Sequence, residues 1–210
     1  GFEREQVKSV WPQVRTYDAN EVAKILTYPE FDVMVTEESK KRRNMYQAEE
    51  KRRVLQRTDD KDTVEFLKKC HLVVDIFEPT IEEEKMRCYE LVVRTNQLNM
   101  SGKKYSPEEF ETVYAKKDHH NFAFSCRDDF GEYGIVGYGQ YRVKEQKMVF
   151  SEFAMSCRVA GKYVESALIS SKLKKENCAT GIFEIQKTKK NILLRNTLEE
   201  KKKKKTYEST

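Results

Sequence analysis

Met148–Glu165 reads MVFSEFAMSCRVAGKYVE, and the rest of the chain can be laid out around it. Val149, Phe150, Phe153, Ala154 and Met155 form a nearly continuous apolar run, the pattern of a strand covered on both faces. A short basic turn follows, Cys157–Lys162, containing Gly161. Beyond it Val164, Ala167, Leu168, Ser171 and Leu173 fall near helical spacing. A strand feeding a basic, glycine-containing turn at a helix start aims backbone N–H groups and the positive end of the helix dipole at one point. Arg158 and Lys162 add full charges there, so the segment predicts an anion site suited to phosphate or pyrophosphate. The plainer alternative is that Gly161 relaxes a tight turn while both cations are solvated. Cys157 is the candidate nucleophile, because cationic neighbours and helix N-termini activate thiols. Its alternative is an inert thiol that ends a strand.

Working outward, Asn121–Arg127, Ile135–Val143 and Met148–Ser156 read as three strands. Asp128, Asp129 and Gly131 mark one connection and Lys144–Gln146 the other, which predicts an antiparallel meander. A further strand is expected over Gly181–Gln186 and an earlier one over His71–Phe77. Thr80-Ile81-Glu82-Glu83 reads as a capping box that opens a helix to about Asn99. Ser106-Pro107-Glu108-Glu109 is a second box, with proline at the first helical position, and its helix should end near Ala115. Towards the N-terminus we expect a helix over Phe2–Val10, a brief strand over Val14–Tyr17, and a helix capped by Asp18 or Asn20 through Leu26. A long charged helix should run from a Thr36 cap to about Gln56, with Met45, Val54 and Leu55 as a thin apolar seam. That helix reads as a solvated connector. A short helix should follow over Asp62–Lys69, and Thr188–Asn191 opens the last one.

The chain has 210 residues, 38% hydrophobic and 36% charged. The formal net charge of +5 equals the five lysines of Lys201–Lys205, so the sequence pI of 8.8 is no sign of nucleic-acid binding. Those lysines and the residues after them, 201–210, are predicted to be a disordered basic tail. The five cysteines form no C-x-x-C pair and have no histidine at ligand spacing. Neither a disulfide framework nor a metal site is expected, and a reducing cytoplasm is the expected compartment. No apolar segment approaches membrane-spanning length. His119 and His120 precede a strand and should point to opposite faces.

Arg158–Tyr163, RVAGKY, resembles the R/Q-x-x-G-x-G/A loop of GNAT-type acyltransferases, with Tyr163 in place of the last small residue. The longer string MSCRVAGKYVE resembles the SCRVLGRGVE segment of FkbH-like proteins. In that family a haloacid-dehalogenase-type phosphatase is fused to a GNAT-like domain. Three further strings carry the same resemblance: RTNQLN at Arg94–Asn99, DDFGEYGIVGY at Asp128–Tyr138, and TKKN at Thr188–Asn191. The opening FEREQVK resembles the end of the family's phosphatase domain, and the expectation is a C-terminal portion that lacks the phosphatase nucleophile loop.

The resemblance implies an α+β fold: a GNAT-like mixed central sheet with flanking helices over 80–200. Before it, 1–79 would hold the end of a phosphatase-type domain and a helical connector. It implies an acyltransferase that moves a glyceryl or related three-carbon group to the phosphopantetheine thiol of an acyl carrier protein. The cofactor would be that phosphopantetheine, or coenzyme A. The implied partners are the carrier and an upstream phosphatase domain of the same polypeptide, with neither nucleic acid nor membrane. Cys157 would be catalytic. Arg158, Gly161, Lys162, Thr188, Lys190 and Asn191 would hold the cofactor, the last three lining the far side of a cleft where parallel strands splay apart. Asn96, Gln97, Asn99, Asp129, Tyr133 and Gly134 would meet the substrate. Two rivals stay open: a non-catalytic module that docks a carrier protein, and an acetyl-CoA-dependent N-acetyltransferase.

Overall fold

The computed structural model describes residues 1–32, 40–58 and 62–207. The chain divides into two compact units, Gly1–Lys40 and Lys41–Thr210. In the first, α1 spans Phe2–Val10, and Asp18 caps a 3-10 helix over Ala19–Thr27 by accepting from the Asn20 N–H at 3.0 Å. Val14–Tyr17 is not a strand. No ladder reaches it, and the Tyr17 ring instead stacks on Tyr28 at 5.7 Å. The expected Thr36 cap lies outside the described residues.

The second unit is built on a five-stranded sheet. Its strands are β1 (Val73–Phe77), β2 (His120–Asp128), β3 (Gly131–Lys144), β4 (Lys147–Met155) and β5 (Thr180–Phe183), adjacent in that order. The first four are antiparallel, and β5 runs parallel to β4. The helices are α2 (Arg42–Thr58), α3 (Thr63–Lys69), α4 (Glu82–Arg94), α5 (Pro107–Tyr114), α6 (Val164–Lys175) and α7 (Ile192–Tyr207). From α4 onward the order is helix, helix, three antiparallel strands, helix, parallel strand, helix. This is the GNAT-like α+β arrangement with a mixed sheet that the sequence predicts. The boundary differs from residue 80, because 41–79, with α2, α3 and β1, belongs to the same unit as the sheet.

Each sheet face carries its own core. Ala123, Tyr138 and Ala154 pack with Cys88 and Val92 of α4 and Phe110 of α5. Phe122, Phe124, Phe150 and Phe153 pack on the other face with Val164 and Leu168 of α6 and Leu194 of α7. Simple alternation would send Phe150 and Phe153 to opposite faces. Both reach one core because the register slips: Gln140 pairs with Glu152 but Tyr141 pairs with Phe150, leaving Ser151 as a bulge. The covered strand expected at Met148–Ser156 is therefore β4, flanked on both sides.

Several local expectations move. Helix α4 stops at Arg94 rather than Asn99, with Thr95 already extended at φ −77°, ψ 136°. Its N-terminal box uses Glu84, not Glu83: the Glu84 carboxylate accepts from the Thr80 N–H at 3.0 Å. The Ser106 box is as expected, with Glu109 accepting from the Ser106 N–H at 2.7 Å and Ser106 Oγ from the Glu109 N–H at 3.2 Å. Lys201–Lys205 is helical rather than disordered, continuing α7. Lysine is a good helix former, and extending an existing helix needs no new nucleus.

Candidate functional site

Beyond β4, Ser156 is extended and accepts from the Arg158 N–H at 3.3 Å, which closes a single 3-10 turn over Cys157–Val159. Gly161 has φ +73° and Tyr163 φ +55°, two left-handed residues that reverse the chain into α6. Val159 is fully buried beneath the turn, whereas Cys157 is exposed. Cys70, Cys88, Cys126 and Cys178 are all buried. Burial raises the Cys70 thiol and pushes Cys126 up to about 12, so neither is a nucleophile near neutral pH.

The two cations of the turn are not solvated. Arg158 donates to the Tyr133 carbonyl at 2.7 Å and to Ser156 Oγ at 3.2 Å, and it also touches the Met45 sulfur. Lys162 Nζ lies 3.6 Å from Glu49 on α2 and 5.7 Å from the Tyr133 ring centroid. A phosphate at the turn would compete with these partners. Gly161 keeps open space on its Cβ side.

These contacts lead to a residue the sequence reading passed over. Arg52 on α2 is 3% exposed and forms a two-pronged pair with Asp128, Nε to Oδ2 at 2.6 Å and Nη2 to Oδ1 at 2.7 Å. Its guanidinium carbon lies 3.9 Å from the Tyr133 ring centroid, and the Tyr133 hydroxyl donates to Asp128 at 2.7 Å. Burial pushes the Asp128 carboxyl up, but the bonds from Arg52 and Tyr133 outweigh it and hold the group below the usual carboxylate range. The buried seam of α2 is thus Ala48 and Arg52, with Met45 and Glu49 half-buried, while Val54 and Leu55 stand exposed. The connector is a docked helix rather than a solvated one. The residues at 45, 48, 49 and 52 do keep helical spacing, but a seam with an arginine in it is not legible as a core face until its carboxylate partner is known.

The candidate substrate residues separate. Tyr133 is buried in the Arg52 cluster, and Gly134 pairs with Cys126 across β2–β3. Asp129 faces solvent and meets His71 Nδ1 at 2.8 Å. Asn96 and Gln97 are exposed, but Asn99 is fully buried. Its Nδ2 donates to the Val92 and Thr95 carbonyls at 2.7 and 3.2 Å, and its Oδ1 accepts from the Gly102 N–H at 2.8 Å. The glycines expected to admit a ligand are partly spoken for. Phe124 lies across Gly137, and Phe122 covers Gly139 beyond the quoted string.

On the far side, Thr188 and Asn191 bond reciprocally, Thr188 N–H to Asn191 Oδ1 at 3.0 Å and Asn191 N–H to Thr188 Oγ1 at 3.2 Å. Lys190 is exposed. Asn191 is fully buried and donates from Nδ2 to the carbonyls of Gln186 at 2.8 Å and Asn99 at 3.2 Å. The strings RTNQLN and TKKN therefore meet in space, through amides that bind backbone. Glu152 on β4 is a further buried group missed in the sequence. Burial weakens its acidity, and Tyr105 donates to it.

No protein-family profile and no curated protein matches the chain. Several solved structures similar to it are acetyltransferases. The ribosomal-protein-S18-alanine N-acetyltransferase from Escherichia coli is 15% identical, spanning 60% of this chain and 76% of its own, at a TM-score of 0.42. A transcriptional regulator from Bacillus halodurans C-125 is 14% identical over 60% and 91%, at 0.40. Glucosamine-6-phosphate N-acetyltransferase from Arabidopsis thaliana is 15% identical over 62% and 89%, at 0.38. At these scores the overlaps carry no argument, and the GNAT-like arrangement stands on strand order and direction. Among the described residues, no helix is long and apolar enough to cross a membrane.

A GNAT-like arrangement implies an acyl-bearing pantetheine arm between the diverging strands β4 and β5. The residues there do not fit it. The strands pair only from Lys147↔Thr180 to Phe150↔Phe183. Where they diverge, Leu98–Met100 of the chain itself lies against β4, with Asn99 bridged to Ala154.

Proposed function

We propose that this chain is an acyltransferase-type domain in which Cys157 holds a glyceryl or related three-carbon acyl group as a thioester. The Cys157 thiolate would attack the carbonyl carbon of an activated three-carbon acyl donor, an acyl phosphate or thioester, and expel the donor's phosphate or thiolate. The acyl group would then pass to the phosphopantetheine thiol of an acyl carrier protein, with an upstream phosphatase domain removing a phosphate from the precursor. The observation that carries this reading is the placement of Cys157. It is the exposed cysteine, it follows directly on the strand that both cores share, and it opens the turn that leads into α6. The resemblance of four separate strings to FkbH-like proteins supports the acyl group and the acceptor. In the transfer, the carrier's thiolate would attack the thioester carbon, the bond from carbon to Cys157 Sγ would break, and that sulfur would leave as thiolate.

An acetyl-CoA-dependent N-acetyltransferase is compatible with the fold, and the chain segment between β4 and β5 bears on coenzyme A and on a carrier's arm alike, so it does not separate the two readings. The two readings separate on a covalent adduct. The chain is incubated with a synthetic glyceryl thioester and followed by intact-protein mass spectrometry. We expect one adduct, mapped to Cys157 and lost in Cys157→Ser, whose hydroxyl is a poor nucleophile without a base. An unmodified parental chain would remove the covalent mechanism. Carrier binding that persists without any adduct would leave the docking-module reading instead.

A further inference from the structure

We propose that Leu98–Met100 is a resident segment, bridged to β4 at Asn99, that closes the opening between β4 and β5, so that this chain takes neither coenzyme A nor a free pantetheine arm along β4. An extended amide-bearing arm can add to a strand only where backbone donors and acceptors are unclaimed. In the second half of β4 they are claimed from both sides. Towards β3, Gly137–Gly139 pair with Phe153–Met155. Away from β3, the Met100 N–H donates to the Phe153 carbonyl and the Met155 N–H to the Leu98 carbonyl, each at 2.8 Å. The opposite edge of the resident segment is also used, since the Gln186 N–H donates to the Met100 carbonyl at 3.2 Å. Leu98–Met100 thus lies between β4 and the chain beyond β5, hydrogen-bonded to both.

Side chains hold it in place. Leu98 is 2% exposed and Met100 is fully buried, both in the core with Phe153, Met155 and Leu194. Asn99 points the other way and ties the segment to the last turn of α4, through the Val92 and Thr95 carbonyls. Asn191 ties it to the start of α7 and to Gln186. Displacement would break this bridge, expose two apolar side chains, strip the Asn99 amide of its bonds to Val92 and Thr95 and take the Asn99 carbonyl from Asn191, which makes vacating the gap unfavourable. The early end of α4 belongs to the same device, for a helix running to Asn99 would have no extended residues to offer β4.

The inference rests on the fold and not on the role of Cys157. Amide hydrogen exchange of the parental chain tests it, with and without coenzyme A at millimolar concentration, alongside calorimetric titration. We expect the Met100, Met155 and Gln186 amides to exchange as slowly as those of β3, with no change on adding coenzyme A. Binding that leaves these amides slow would place coenzyme A elsewhere and keep the proposal. Saturable binding with faster or altered exchange at Met100 and Met155 would overturn it and make the segment a displaceable gate. In Asn191→Ala, exchange at Met100 should quicken by roughly tenfold or more while β2–β3 amides stay slow. Unchanged exchange at Met100 there would overturn the stapling role, and if that variant does not fold the parental measurement decides by itself.

Discussion

Removing the Arg52 side chain would leave the Asp128 carboxylate, 2% exposed, with the Tyr133 hydroxyl and the Phe130 N–H as its remaining donors. Breaking a buried pair from one side costs about 3–5 kcal/mol, because the surviving charge stays desolvated. Arg52→Ala should lose stability of that order in urea unfolding. Arg52→Lys should recover only a fraction, since one ammonium cannot span both carboxylate oxygens while lying on the Tyr133 ring. A loss near 1 kcal/mol or less for Arg52→Ala would mean that α2 is held by its other contacts. The same cluster positions the turn after β4, for Tyr133 binds Arg158 through its carbonyl and lies beneath Lys162.

Among the elements, β3 is shaped by glycines that serve aromatic rings. A Cβ on Gly137 would lie 1.8 Å from Phe124 Cζ, and Phe124 is itself buried against Phe153 at 6.1 Å between centroids. The ring has nowhere to retreat, so Gly137→Ala should cost about 1–3 kcal/mol through overpacking, several degrees of Tm. Gly161→Ala is a useful contrast. Nothing lies within 4 Å of its Cβ position, and its φ of +73° leaves only backbone strain of about 1 kcal/mol. Thermal melts should rank Gly137→Ala as the more damaging substitution; equal shifts would mean that Phe124 repacks freely.

For the molecule as a whole, burial sorts the thiols. Four of the five cysteines lie in cores or beneath elements, and Cys157 alone is exposed. A thiol reagent such as a disulfide-forming chromophore should therefore titrate one equivalent rapidly in the native chain and five in denaturant. Two or more fast equivalents would show that a second cysteine opens readily, weakening the assignment of Cys157. Peptide mapping of the fast adduct completes the check.

Helix starts, the meander and the strand–turn–helix around Cys157 were legible in the chain, because caps, turn residues and apolar periodicity act within a few positions. Ser106 with Glu109, the bends at Gly131 and Glu145, and the apolar run of β4 needed no distant partner to be read. What the amino-acid order left open were the fates of Arg52, Asn99 and Asn191. Each is polar and each is buried, and its partner lies far along the chain: Arg52 and Asp128 are separated by 76 positions, Asn99 and Asn191 by 92. A buried polar group is stable only when its partner is in place, and that pairing exists only once the sheet has formed. For the same reason RTNQLN looked like the end of a helix and instead leaves the helix after Arg94, turns, and bridges to β4 at Asn99. Hydrogen bonds from β4 outweighed local helix preference, and they filled the gap that the order of elements would otherwise have left open.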